Sequence, residues 1–271
     1  MNEQTQGDRF FEEYCESLGY SVTWEPYPAS PRMPDFAVRT PDGGELVAEV
    51  KTIESRGMLG VLPGRRLGRI GTRSIGDAVT PLRKAIRDAA GQLRPLQGKG
   101  LPLVVVLVPG PGCGVPLDPV SVLSAMYGDI SVEFDIGPVS DSRWVTGRDG
   151  RLSGGTHAYL SAVVVLRVRL HADDWAESWW SVHAPPGDGR IELIEQFMAA
   201  ARAQAPDGYY LTADVYETLG AAATRLPDSV FVGAKDTRWV PSSDGSSMVR
   251  SANDARQLLA AEHGARDARP A

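Results

Sequence analysis

The stretch PDFAVRTPDGGELVAEVK, running from Pro34 to Lys51, decides the fold. Two short alternating segments, Pro34 to Arg39 and Glu45 to Ile53, flank TPDGG, whose Pro, Asp and Gly residues supply a tight connection. The pattern predicts a β-hairpin. Residues two apart on a strand share a face, so Glu49 and Lys51 lie on one side with Val47 and Ile53, while Val50 faces the other. Asp35 precedes Glu49 by fourteen positions, across the turn. If the partner strand presents Asp35 to the same place, two carboxylates and an ammonium converge. Two carboxylates so close repel, and a bound divalent cation is the best reason for keeping them together. The plainer alternative is an amphipathic strand whose charged middle reaches solvent.

Outward from the hairpin, Asp8 to Leu18 carries Phe11, Tyr14, Cys15 and Leu18 at helical spacing, and Gly19 suits the position just past a helix end. After the hairpin, residues 54–77 are rich in Gly and Arg and lack apolar periodicity, the pattern of a long mobile loop. Order is expected to resume at Thr80-Pro81, with Thr as cap and Pro at the first helical position. Leu82, Ala85, Ile86, Ala89 and Leu93 then form a helical stripe, Pro95 ends it, and LPLVVVLVPG reads as a strand buried on both faces. Helix, strand, strand, helix, strand predicts an α/β fold with a mixed sheet flanked by helices, the crossover helix covering one face.

Further on, PVSVLSAMYG and RIELIEQFMAAARAQ suggest helices, and ISVEFDI, YLSAVVVLRVRL and WWSVH suggest strands. The expected organisation is a core over residues 1–110 and a carboxy-terminal α+β elaboration over 111–238 that extends the sheet within the same domain. Residues 239–271 are expected to form a largely flexible tail, with a short helix near Ala252 to Ala261.

The chain of 271 residues, 42% apolar, is long enough for an ample core. Its amino terminus has no basic-then-apolar signal, and no apolar run approaches the ~20 residues a spanning helix needs, so a cytoplasmic protein without membrane association is expected. A net charge of −6 excludes a uniformly basic coat for nucleic acid. The charge is uneven, however: Ser55 to Gly100 holds ten basic residues against two acids, Asp77 and Asp88. Such a local excess can attract a polyanion to an acidic protein. A solvated helix face and a loop would account for it equally simply.

Pro34, Asp35, Glu49 and Lys51 resemble the motif of the PD-(D/E)XK nuclease superfamily, and the likeness covers roughly Asp8 to Val108. Proline-aspartate alone carries little weight, since it recurs at Pro41, Pro206 and Pro227 in turn-like contexts. Glu-X-Lys is sharper: it occurs once, in a chain with four lysines against 24 arginines. The resemblance implies a restriction-endonuclease-like core, similar to Holliday-junction resolvases and type IV restriction enzymes. It implies that Asp35, Glu49 and the Val50 carbonyl bind Mg²⁺ or Mn²⁺, and that Lys51 assists the attacking water. Each role is chemically sensible, because hard cations take oxygen ligands and a nearby cation offsets charge growing on phosphorus. Family members also carry a glutamate on the first helix, for which Glu12 is the better candidate and Asp8 and Glu13 compete. Some carry a lysine or glutamine on the helix after the Glu-X-Lys strand, where Gln92 borders the buried stripe.

The implied function is a metal-dependent endonuclease acting on nucleic acid, DNA before RNA, with restriction or phage defence as the analogous role. Arg65, Arg66, Arg69, Arg73 and Lys84 are the expected phosphate contacts. A homodimer, or a protein partner held through the carboxy-terminal half, could complete the assembly. The alternative from another class is a catalytically silent nucleic-acid-binding or regulatory protein that keeps the fold. Other features point nowhere in particular. Cys15 and Cys113 read as free thiols, His157, His171 and His183 lack metal-ligand spacing, and PGPGCG lacks the lysine of a phosphate loop. Trp175, Trp179 and Trp180 read as core or interface aromatics.

Overall fold

The first element starts at Thr5, whose hydroxyl accepts the Asp8 amide (3.2 Å) while Asp8 Oδ2 accepts the Thr5 amide (2.7 Å). This reciprocal pair satisfies two amides that a helix start would otherwise leave bare. Helix α1 (Gln6–Ser17) ends at Gly19, φ +72°, where the Gly19 and Tyr20 amides close back on the Glu16 and Cys15 carbonyls at 2.9 Å. The computed structural model describes residues 4–26, 34–54, 75–134, 142–152, 155–172, 174, 207–218, 220, 222–241 and 248–251.

Beyond α1 the order is β1 (Ser21–Trp24), β2 (Phe36–Arg39), β3 (Glu45–Ile53), α2 (Ile75–Leu93), β4 (Leu103–Pro109), α3 (Pro119–Tyr127), β5 (Gly128–Phe134), β6 (Ser142–Asp149), β7 (Ala162–Leu170), β8 (Tyr209–Glu217), β9 (Thr237–Pro241) and β10 (Met248–Arg250). The expected hairpin is β2–β3. The main sheet runs β1-β2-β3-β4-β7-β8-β9-β10. Its first three strands pair antiparallel, and β3, β4 and β7 run parallel. At the far end β8 and β9 are parallel and β9 and β10 antiparallel. The fold is therefore α/β with a mixed sheet.

Two compact units divide the chain, residues 1–166 with 213–271, and residues 167–212. In the first unit α2 covers one face of β3, β4 and β7. Val47 and Ile53 of β3 pack with Leu103, Val105 and Leu107 of β4, with Val163 and Val165 of β7, and with Val79, Leu82, Ile86, Ala89 and Leu93 of α2. Each such fully buried aliphatic side chain is worth about 1.5–3 kcal/mol relative to exposure, so the helix is held mainly by its stripe. The opposite face meets α1, where Phe11 meets Phe36 edge-on at 5.2 Å between ring centroids. Gly7 is required there: a Cβ would lie 2.4 Å from Thr52 Oγ1. In the second unit the His171 amide bonds the Gly208 carbonyl (3.3 Å) and the His171 ring lies 5.2 Å from that of Tyr210.

Three expectations need correction. Helix α2 starts at Ile75 rather than at Pro81, which sits inside it. Burial of Ala78 and Val79 (4% and 0% exposed) stabilises the added turn against the hydrogen bond that Pro81 lacks. Among the described residues strand β5 does not extend the main sheet but pairs with β6, after Gly128, φ +106°, turns the chain at the end of α3. Part of the stretch expected to be a flexible tail forms β9 and β10. The readings of WWSVH and RIELIEQFMAAARAQ, of the three tryptophans, and of a helix near Ala252 lie outside the described residues.

Candidate functional site

The alternation of β3 sets Glu49 and Lys51 on the face that α2 covers, between Val47 and Ile53. Phe36 pairs with Ala48, so Asp35, one residue before β2, arrives beside Glu49. Backbone and side chain then interlock: the Asp35 amide donates to Glu49 Oε2 (3.2 Å), and the Val50 amide donates to Asp35 Oδ2 (2.8 Å). Lys51 Nζ donates both to Glu49 Oε1 (2.5 Å) and to Gln92 Oε1 (2.7 Å), tying β3 to the end of α2. Asp35, Glu49, Val50, Lys51 and Gln92 thus form one connected cluster. The Glu49 side chain has no accessible surface, whereas that of Lys51 keeps 27%. Glu49 therefore does not extend into solvent, as an ordinary amphipathic strand would have it.

Burying two carboxylates together strains their ionisation. Glu49 is pushed up to about 8, by burial first and then by the charge of Asp35, with Lys51 acting in the opposite direction. Burial likewise raises Asp35, the Val50 amide offsets part of this, and the charge of Asp8 adds to the rise. When both are ionised, Asp35 and Glu49 carry more negative charge than the one ammonium of Lys51 offsets.

The three candidate acids of α1 have different surroundings. Glu12 is half-buried, accepts a bond from Gln4 Nε2 (3.2 Å) and acts electrostatically on Cys15. Glu13 is exposed. Asp8, 7% exposed, is the acid of α1 whose charge is felt at Asp35. Its Oδ2 receives both the amide and the hydroxyl of Thr5. The close seat of Gly7 on Thr52 brings this end of the helix down to the strand. Among the described residues no set of three or more His, Cys, Asp or Glu stands ready as a metal cage. The donors gathered are the two carboxylates of Asp35 and Glu49.

Of the expected phosphate contacts, Lys84 is exposed on α2, and Arg65, Arg66, Arg69 and Arg73 lie outside the described residues. Among the described residues, no helix is long and apolar enough to cross a membrane. No family model, no curated protein and no solved structure matches this chain.

Proposed function

We propose that the chain is a metal-dependent nuclease with a restriction-endonuclease-like core, hydrolysing phosphodiester bonds in nucleic acid, DNA before RNA. The observation that carries this is the wholly buried Glu49 set against Asp35, with Lys51 reaching from it to Gln92. Supporting it, α1, the hairpin β2–β3, α2 and a β4 parallel to β3 follow one another in the order expected of that core.

Asp35 and Glu49 would hold Mg²⁺ or Mn²⁺. Two carboxylates leave most of an octahedral sphere to water and substrate oxygens, as Mg²⁺ prefers. The ion would supply a more acidic water and a polarised phosphoryl oxygen. Lys51 places positive charge where negative charge grows on phosphorus, and Gln92 fixes the amine so that no reorganisation is needed. Glu49 must be ionised to serve, and the ammonium of Lys51 favours that state.

A second reading has one observation in its favour. Lys51 already neutralises Glu49 at 2.5 Å, as in a retained but silent site that binds nucleic acid without cutting it. The test is incubation of the purified protein with plasmid, single-stranded DNA and RNA in Mg²⁺, Mn²⁺ or EDTA. The nuclease cuts only with a divalent cation and loses that activity in Lys51→Ala with its fold intact. Binding without cleavage under every condition would replace it with the silent reading, and a Lys51→Ala variant cutting at the wild-type rate would remove the site.

A further inference from the structure

At the end of α2 a second cluster has the opposite electrostatic character. A pocket of about 300 Å³ is lined by Arg94, Gln97, Gly155, His157, Ala158 and Tyr159, with no carboxylate among them. Its walls come from two places: the short turn after α2 that carries Arg94, and the 155–159 turn that precedes β7. The Tyr159 hydroxyl joins them, donating to the Ala90 carbonyl at 2.7 Å while His157 Nδ1 lies 3.2 Å away. That hydroxyl has spent its proton on Ala90, so Nδ1 carries the hydrogen between the pair and Nε2 is the nitrogen left for a ligand.

Arg151 stands close to the same histidine. Its Nε is buried and, among the described residues, has no hydrogen-bond partner. Burial and then the charges of Arg151 and Arg94 hold the proton affinity of His157 below its usual value. Arg94 by itself is explained by the negative end of a helix. The Arg151 amide likewise bonds the Ala125 carbonyl in the last turn of α3 (3.2 Å), but a helix end accounts neither for the bare Arg151 Nε nor for His157, which lies in a turn. His157 also holds φ +52°, a backbone conformation that costs energy for a side-chain-bearing residue. Two guanidinium groups and an imidazole gathered where, among the described residues, the lining holds no carboxylate are accounted for if the counter-charge arrives with a ligand.

We propose that this pocket is an anion site for a phosphate group, with Arg94 as its charged donor, Gln97 as a neutral donor at the rim, Arg151 as the charge behind them, and His157 donating from Nε2 once the arriving anion draws a second proton from solvent onto the ring. It stands on its own residues and holds whether or not Asp35 and Glu49 bind a metal. The phosphate could come from a nucleic-acid strand or from a free small molecule, and both share the recognising chemistry: a compact dianion or monoanion accepting several charge-assisted hydrogen bonds.

The test is titration calorimetry of the full chain, in EDTA, with inorganic phosphate and with one short oligonucleotide bearing either a 5′-phosphate or a 5′-hydroxyl. Arg94→Gln and His157→Asn, the latter chosen because Asn tolerates positive φ, are compared with Arg225→Gln, which removes the same charge from a surface ion pair elsewhere. We expect saturable binding weakened about tenfold or more by each pocket variant, the scale of a lost charge-assisted hydrogen bond, and unchanged by Arg225→Gln. Binding of phosphate alone assigns the site to a small molecule, preference for the 5′-phosphate to a strand end, and equal binding of both oligonucleotides to an internal phosphate. The proposal falls if none of the three binds, or if binding persists undiminished in the Arg94→Gln, His157→Asn double variant while its urea midpoint matches wild type.

Discussion

Replacing Glu49 by Gln keeps the shape of the side chain and removes its ionisation, which is where the tension of the site is stored. The folded protein holds this carboxyl at about 8, against an ordinary value of 4.5. A carboxyl raised on folding contributes stability fully below its unfolded value, and that stability is lost as the pH climbs through the folded one. Across that window the loss amounts to about 5 kcal/mol at ~1.4 kcal/mol per pH unit. Water entry and relaxation around Lys51 trim it, so in EDTA we expect Glu49→Gln to match wild type near about pH 5 and to exceed it by about 2–4 kcal/mol near about pH 9. Urea unfolding followed by circular dichroism at both pH values reads this directly. Adding Mn²⁺ at high pH should then raise the wild-type midpoint, by about 2.7 kcal/mol at a hundredfold excess over Kd, and leave the variant unmoved. Wild type and variant running parallel across the whole range would refute the reasoning, because Glu49 would then be no more costly to ionise folded than unfolded.

Two other changes probe what surrounds the site. Gly7→Ala brings a Cβ to 2.4 Å from Thr52 Oγ1, so it should cost about 1–3 kcal/mol in urea unfolding and weaken Mn²⁺ binding by shifting Asp8; adding Thr52→Ala should restore part of the stability. Tyr14→Phe removes a buried bond to Asp236 Oδ2 (2.5 Å) while the Ala213 and Gly233 amides still serve that carboxylate. The expected loss is about 1–3 kcal/mol, with no change in any cleavage activity, and a loss of cleavage at unchanged stability would show that this pair does more than hold α1.

Much of the site was legible because it obeys local periodicities. Strand alternation alone joins Glu49 to Lys51, and helical spacing alone turns Gln92 toward the sheet. Local signals failed where a tertiary contact overruled or created the arrangement. Thr80-Pro81 is a sound helix start in isolation, yet burial of Ala78 and Val79 begins α2 earlier. Asp8 competes with Glu12 in the sequence and caps α1 in the structure; its approach to Asp35 depends on Gly7 seating against Thr52, residues far apart in the chain. Strand β1 carries no such signal, because SVTW is four residues long and, among the described residues, pairs on one side only. The pairing of β5 with β6 depends on the turn at Gly128, not on the composition of either strand.

The central claim is that Asp35 and Glu49 share a divalent cation. An anomalous difference map from a crystal soaked in Mn²⁺ tests it most directly. The account predicts a peak between the two carboxylates that is lost in Glu49→Gln. A fully soaked crystal with no peak there, and with Lys51 still bonded to Glu49, would contradict it.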